Sequence, residues 1–251
     1  MKPAHVSVGL VPILTTRKDR KVGTQREGFD VGWRLGSWNA KIPHVYSNTM
    51  QTEIFLICNA QTLSDPADRS VGWWSDLSLS ATGRRQTMLL SERLKTAYED
   101  IEYLYTSPLK RAAETAGILA DTLKVIARSD AGLRELDAGR IEPGETTGTT
   151  APDFAEGAPG NGESYASLHR RTTRAIDAIV TRCLGKRIII VSHGGPIVAY
   201  LRSFLGFGPD DADRAPFFGC VPSSLHELVI DDTEKTIVRL NDAAHLADAP
   251  S

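Results

Sequence analysis

The sequence predicts an α/β protein, a three-layer sandwich in which a mostly parallel sheet carries helices on both faces. Two observations point there. From residue 52 onward, short runs that are apolar at every position, such as Ile54-Phe55-Leu56-Ile57 and Ile188-Ile189-Ile190-Val191, alternate with longer segments of helical period. A continuous apolar run suits a strand buried on both sides, as in a parallel sheet flanked by helices. The chain of 251 residues is also long enough to bury a sizeable core as one large domain.

Each element has its own local reason. "EIFLI" opens the sheet. "ATGRRQTMLLSERLKTA" follows as a helix with Met88, Leu89, Leu90 and Leu94 on its apolar face. "IEYLYTS" reads as the next strand. In "SPLKRAAETAGILADTL", Ser107 is placed to cap a helix and Pro108 to enter its first turn, with Leu109, Ala112, Ala113, Ala116 and Leu119 or Ala120 as the stripe. "KVIA" is a short strand, and residues 128 to 163 form a long connection rich in Gly, Pro, Thr and charge. "SYASLHRRTTRAIDAIVTRCL" is a helix capped by Ser164, with Leu168, Ala175, Ile176, Ile179 and Cys183 inward. "KRIIIVS" is the most apolar strand and "GGPIVAYLRSFLG" the helix behind it. "SSLHELVI" and "TIVRL" read as closing strands at a sheet edge. Residues 1–50 differ: they lack a sustained period and carry glycines, basic residues, Trp33 and Trp38. They read as an extension that packs on the main body, residues 51–251, or on a partner subunit in a homodimer.

Composition narrows the function classes. The chain is 41% hydrophobic and 24% charged, with 29 basic and 31 acidic residues and a formal charge of −2. That balance gives no general attraction to nucleic acid or to an anionic membrane surface. No apolar run approaches membrane-spanning length. Three scattered cysteines, Cys58, Cys183 and Cys220, make no disulfide framework and suit a reducing cytoplasm. The histidines are scattered and no Cys pair is close in sequence, so neither a metal site nor a cofactor is called for.

Ligands in such sheets bind beyond the carboxyl ends of the strands, so the strand-ending turns are where chemistry is expected. In "IIIVSHGG", His193 stands at a strand mouth, and Gly194 opens a helix whose free N–H groups favour an anion. In "YTSPLKRAAETA", Arg111 and Ser107 lie just past a strand; an isolated Arg there would more simply meet solvent and pair with Glu114. "LRELDAG" offers Glu135. The strand "TEIFLI" ends in Cys58-Asn59-Ala60-Gln61, a turn with no His, Arg, Asp or Glu.

Taken in order, "LSATGRRQ", "TSPLKRAAETA", "LRELDAG", "NGESYASLHRR" and "VSHGG" resemble the motifs of the histidine phosphatase superfamily, the phosphoglycerate-mutase-like proteins, over about residues 52 to 246. The resemblance implies the fold and, for intact members, a mechanism. The His of an Arg-His-Gly-Glu-Thr turn attacks phosphorus, two arginines and a second His hold the phosphoryl oxygens, and a Glu protonates the leaving oxygen. Carried over, Arg111 matches the second arginine, Glu135 the acid and His193 the second His. The nucleophile position is Asn59, the first arginine is Cys58, the glycine is Ala60 and the turn's Glu is Gln61.

An amide cannot carry phosphate as an imidazole does, and Cys58 removes a permanently charged, bidentate phosphate clamp. The expectation is an atypical member, an enzyme but not a typical phosphatase or mutase. Glu135 and His193 would form an acid–base pair acting on a small anionic molecule bearing a carboxylate or phosphate, with Arg111, Asn59, Cys58, Ser107, Gln61 and Gly194 around it. Isomerisation, dehydration, cyclisation or non-phosphoryl hydrolysis needs only such proton transfers. The alternatives are a non-catalytic pseudophosphatase that binds a ligand or protein partner, and a weak phosphatase. Cys58 activated by His193 is a further candidate nucleophile, set against a buried inert thiol. The abundance of Ala, Arg, Gly and Thr is compatible with a GC-rich bacterial genome, and through it with specialised biosynthesis.

Overall fold

The computed structural model describes residues 9–17, 29–36, 51–63, 76–98, 100–137, 162–232 and 234–247. Among the described residues eight strands form one sheet: β1 (Gly9–Arg17), β2 (Phe29–Gly36), β3 (Thr52–Cys58), β4 (Ile101–Thr106), β5 (Ala127–Ser129), β6 (Arg187–Ser192), β7 (Leu225–Ile230) and β8 (Glu234–Asp242). Their order is β2-β1-β8-β7-β3-β6-β4-β5. Strands β3, β6, β4 and β5 are mutually parallel neighbours, while β7, β8, β1 and β2 add antiparallel pairs beyond β3. The sheet is therefore mixed, with a parallel centre.

Among the described residues four α-helices cover the two faces: α1 (Ala81–Ala97) and α2 (Lys110–Leu123) on one, α3 (Tyr165–Arg182) and α4 (Gly194–Phe204) on the other. Alternate residues of the central strands feed two cores. Phe55, Ile57, Ile189 and Val191 pack under α1 and α2, whereas Ile54, Leu56, Ile188 and Ile190 pack under α3 and α4. That split is why both strands are apolar at every position. Each such side chain, fully removed from water, contributes about 2 kcal/mol of burial.

Several local expectations are corrected. In α1 the buried positions are Gly83, Thr87, Leu90, Ser91 and Leu94, and Met88 is exposed. Ala113 likewise faces solvent, because the inner face of α2 is set by Arg111, Ala112, Thr115, Ala116 and Leu119. α2 begins at Lys110 after an N-cap Leu109 without a side-chain cap. The Ser107 hydroxyl instead accepts the Leu109 N–H at 3.2 Å and turns toward His193. "KVIA" does not form the third strand. Lys124 closes α2 in the left-handed region at φ 60°, and pairing starts only at Ala127. Ser164 caps α3 through the Ser167 N–H, as its position suggests.

The last two strands are not the sheet edge, because β1 pairs antiparallel with β8 and β2 with β1. Trp38 and the side chain of Trp33 lie outside the described residues, as do residues 138–161 of the long connection.

Candidate active site

Each of the four parallel strands delivers one piece of the site just past its carboxyl end. β3 ends in Cys58 and is followed by Asn59; Ser107 follows β4, the loop to Glu135 follows β5, and His193 follows β6. Backbone hydrogen bonds keep these ends in register. Asn59 N–H donates to Ser192 O at 2.9 Å, Ser107 N–H to Val191 O at 3.0 Å, and Asp130 N–H to Thr106 O at 2.9 Å.

The turn at residues 58–61 is held from several directions. Ala60 N–H donates to Thr115 Oγ1 at 3.2 Å and Gln61 N–H to Gln86 Oε1 at 3.2 Å. Gly83 has no room for a side chain, since a Cβ there would lie 2.1 Å from Gln61 O. The helix-start glycine and glutamine of "ATGRRQ" thus serve to seat α1 on this turn. Ser223, at the strained φ of 65°, donates its N–H to both Cys58 O and Asn59 O at 3.2 Å. Gln61 itself points away from the other candidates, its Oε1 accepting the Ser80 hydroxyl at 3.0 Å.

His193 is 1% exposed and sits between Asn59 and Ser107. Asn59 Nδ2 donates to Ala60 O at 3.0 Å, so its Oδ1 is turned to accept from His193 Nδ1 at 2.9 Å. His193 Nε2 then carries the lone pair and takes the Ser107 hydroxyl proton at 2.8 Å, consistent with Ser107 Oγ accepting from Leu109 N–H. This pattern assigns the neutral Nδ1–H tautomer. Burial, then the charges of Arg111 and Arg171, holds the His193 pKa well below the ordinary range.

Glu135 is displaced the other way. Burial pushes its carboxyl up, against hydrogen bonds from Leu136 N–H at 2.8 Å and Gly195 N–H at 3.4 Å and the charge of Arg111. Arg111, 3% exposed, is pulled down by burial while Glu135, Asp76 and Cys58 favour its charge. Arg111 is thus buried rather than solvent-exposed, and Glu114 bonds Arg84 at 2.9 Å and accepts the Leu79 N–H. Gly195, rather than Gly194, makes the close approach, since a Cβ on it would lie 2.3 Å from Glu135 Oε1.

Cys58 is buried, and its Sγ lies 3.9 Å from Cys220 O. Contact with Cys220, then burial, pushes its thiol well up, so it is not an activated nucleophile. Sequence reasoning missed Cys220, Thr115 and Arg171. Arg171 bonds the carbonyls of Gly132, Arg134 and Glu135 at 2.8, 3.0 and 3.3 Å and Glu163 at 2.6 Å, so it shapes the loop that presents Glu135. Its signal lay in "NGESYASLHRR", where Glu163 precedes it by eight residues. Among the described residues no group of three or more His, Cys, Asp or Glu side chains could hold a metal ion, and no helix is long and apolar enough to cross a membrane.

Comparison with known proteins agrees with this architecture. The family model for the histidine phosphatase superfamily (branch 1) matches residues 54–243. A probable phosphoglycerate mutase GpmB of Yersinia enterocolitica is 30% identical over 178 residues, covering 67% of this chain and 81% of that protein. Phosphoglycerate mutase-like protein 4 of Arabidopsis thaliana is 33% identical over 157 residues, 58% of this chain and 67% of the relative. Among solved structures, a mycobacterial glucosyl-3-phosphoglycerate phosphatase in complex with inorganic phosphate superposes with a TM-score of 0.62 at 24% identity, covering 78% of this chain and 99% of that one. The chain belongs to the histidine phosphatase superfamily.

Proposed function

We propose that this protein is a repurposed member of its superfamily that performs acid–base chemistry, without a phospho-enzyme, on a small anion bearing a carboxylate or phosphate. The observation that carries the reading is a carboxyl and an imidazole flanking Arg111 with their proton affinities displaced in opposite directions, Glu135 up and His193 down. Raising the carboxyl and lowering the imidazole bring the two affinities toward each other, which suits proton transfer to and from one bound molecule. Arg111 holds the anion. In the proposed roles Glu135, whose burial favours the protonated carboxyl, donates a proton, and His193, whose burial favours the neutral ring, accepts one.

The lone pair of His193 Nε2 is aimed at Ser107, so a substrate proton reaches the ring through that hydroxyl or in its place. Asn59, at the position where relatives place their nucleophile, becomes the group that orients the base. The setting proposed is a reducing bacterial cytoplasm and a biosynthetic role. The relatives' names, and the phosphate bound by the mycobacterial phosphatase, support a small anion as ligand.

The test is enzyme-dependent hydrogen–deuterium exchange into a panel of small carboxylates and phosphate esters in D2O, followed by NMR. The reading expects at least one compound to exchange or convert, with the activity lost in Glu135→Gln and in His193→Asn while the fold persists. Ligands that stabilise the protein but never exchange would favour a binding module. Phosphate release from generic esters would favour a phosphatase.

A further inference from the structure

Ser107 after β4, His193 after β6 and Asn59 after β3 form one hydrogen-bonded line. Ser107 Oγ donates to His193 Nε2 at 2.8 Å, and His193 Nδ1–H donates to Asn59 Oδ1 at 2.9 Å. Both ends of the line are fixed. Asn59 Nδ2 donates to Ala60 O at 3.0 Å, which sets the amide's orientation, and Ser107 Oγ accepts the Leu109 N–H at 3.2 Å, which turns its proton to the ring. A hydroxyl on a neutral imidazole whose far nitrogen is held by a third side chain is an arrangement that activates a nucleophile. Ser107 and His193 are fully buried, whereas Asn59, Gly194 and Gly195 are half-buried, so the line runs inward from the surface of the site.

The charge around this line selects the electrophile. Arg111 stands on the buried face of α2 one helical turn before Thr115, whose Oγ1 accepts the Ala60 N–H at 3.2 Å, so that face meets the turn carrying Asn59. Cys58 brings no guanidinium to the turn, burial keeps His193 neutral, and Arg171 is bonded to three carbonyls and Glu163. A phosphoryl group in transfer spreads charge over three oxygens. Addition of a hydroxyl oxygen to an acyl carbon makes a single oxyanion, which suits one guanidinium.

We propose that Ser107 is a nucleophile and that the site hydrolyses an ester or thioester of a small carboxylic acid through an acyl-serine. Ser107 Oγ adds to the acyl carbon as its proton passes to His193 Nε2, and the carbonyl π pair moves onto the oxygen that Arg111 holds. The oxyanion collapses, the bond to the leaving oxygen or sulfur breaks, and that atom takes the proton of Glu135. Water then adds to the acyl carbon and gives a proton to the Glu135 carboxylate. The second collapse expels Ser107, whose oxygen takes the proton back from His193. The released acid ionises to a carboxylate, the small anion of the reading above. The part played by Glu135 rests on that reading; the Ser107 nucleophile rests on the hydrogen-bonded line.

Methanesulfonyl fluoride and ethyl acetate, each used on the full chain, test the two parts. With the first, Ser107 Oγ displaces fluoride from sulfur, a departure that needs no acid. One methylsulfonyl group on the Ser107 peptide, read by mass spectrometry, is expected in the folded chain and not in the urea-unfolded one, formed about tenfold or more slowly in Asn59→Ala. Ethyl acetate hydrolysis, followed by NMR, is expected to fall about 100-fold or more in Ser107→Ala and in Glu135→Gln. Ser107→Cys, which keeps a nucleophile in place, is expected to retain the label. A folded chain unlabelled at Ser107, or hydrolysis undiminished in Ser107→Ala, overturns the nucleophile; deuterium exchange retained by that variant then leaves the acid–base reading standing. A labelled Ser107 with hydrolysis undiminished in Glu135→Gln overturns the acid role of Glu135 and leaves the nucleophile standing.

Discussion

The turn at residues 58–61 and the wall formed by Arg111, Glu135 and His193 meet at the hydrogen bond between His193 and Asn59, yet on the proposed reading they differ in what they keep of the superfamily's motifs. In the turn the backbone contacts are in place: Gln61 N–H on Gln86, Ala60 N–H on Thr115 and Ser223 N–H on the carbonyls of Cys58 and Asn59. Its side chains, however, offer no imidazole and no guanidinium. Across the site Arg111, Glu135 and His193 fall where the resemblance expects a clamp, an acid and a second histidine, and burial pushes the Glu135 carboxyl up and the His193 imidazole down. The difference teaches that backbone hydrogen bonds hold the strand-end scaffold, while on the proposed reading the turn's four side chains decide the reaction.

The strongest way to break this contrast is to restore the turn. Replacing Cys58→Arg, Asn59→His, Ala60→Gly and Gln61→Glu together is expected to raise hydrolysis of p-nitrophenyl phosphate about 100-fold or more above wild type, because nucleophile and clamp then meet an intact opposite wall. No gain in a folded variant would show that the wall has diverged as well.

The next effect is on stability. Arg171→Ala strips three carbonyls and a largely buried Glu163 of their partner, and is expected to cost about 3 kcal/mol in urea unfolding. A loss below 1 kcal/mol would mean the Glu135 loop is held by other contacts. Gly195→Ala forces a methyl against Glu135 and is expected to cost about 1–3 kcal/mol and to weaken any activity that needs Glu135.

The smallest expected effect is the response to acid. His193 and His245 are held below the ordinary histidine value by burial, His245 to about 4. A depressed folded-state pKa gives stability that is present above the unfolded value of about 6.5 and is lost as pH falls through the folded one. Stability should therefore decline from pH 6.5 toward 4, and less steeply in His245→Asn. Glu135, raised by burial, has the opposite sign: its contribution is present in acid and lost as pH rises through its folded pKa.

Much of this was legible in the sequence. The runs 54–57 and 188–191 announced strands buried on both faces because each feeds two cores. Asn59, Ser107, Arg111, Glu135 and His193 could be placed because each follows a strand or opens the helix after it. Cys220 was not legible, since "FFGCVPSS" has no period and Asn241, which accepts the Val221 N–H of this loop, comes from β8. Nor could sequence tell Arg170, which faces solvent, from Arg171 beside it, because only the docking of α3 against the loop separates them. The "KVIA" strand slipped because the left-handed Lys124 delays an edge strand of three exposed residues.

The central claim is that this pocket handles an anion without ever carrying phosphate. Intact-mass spectrometry of the wild-type protein after incubation with acetyl phosphate, beside the turn-restored variant, tests it most directly. An unchanged wild-type mass with one acid-labile phosphoryl group on the restored variant is the predicted result. One acid-labile phosphoryl group on the wild-type protein would contradict it.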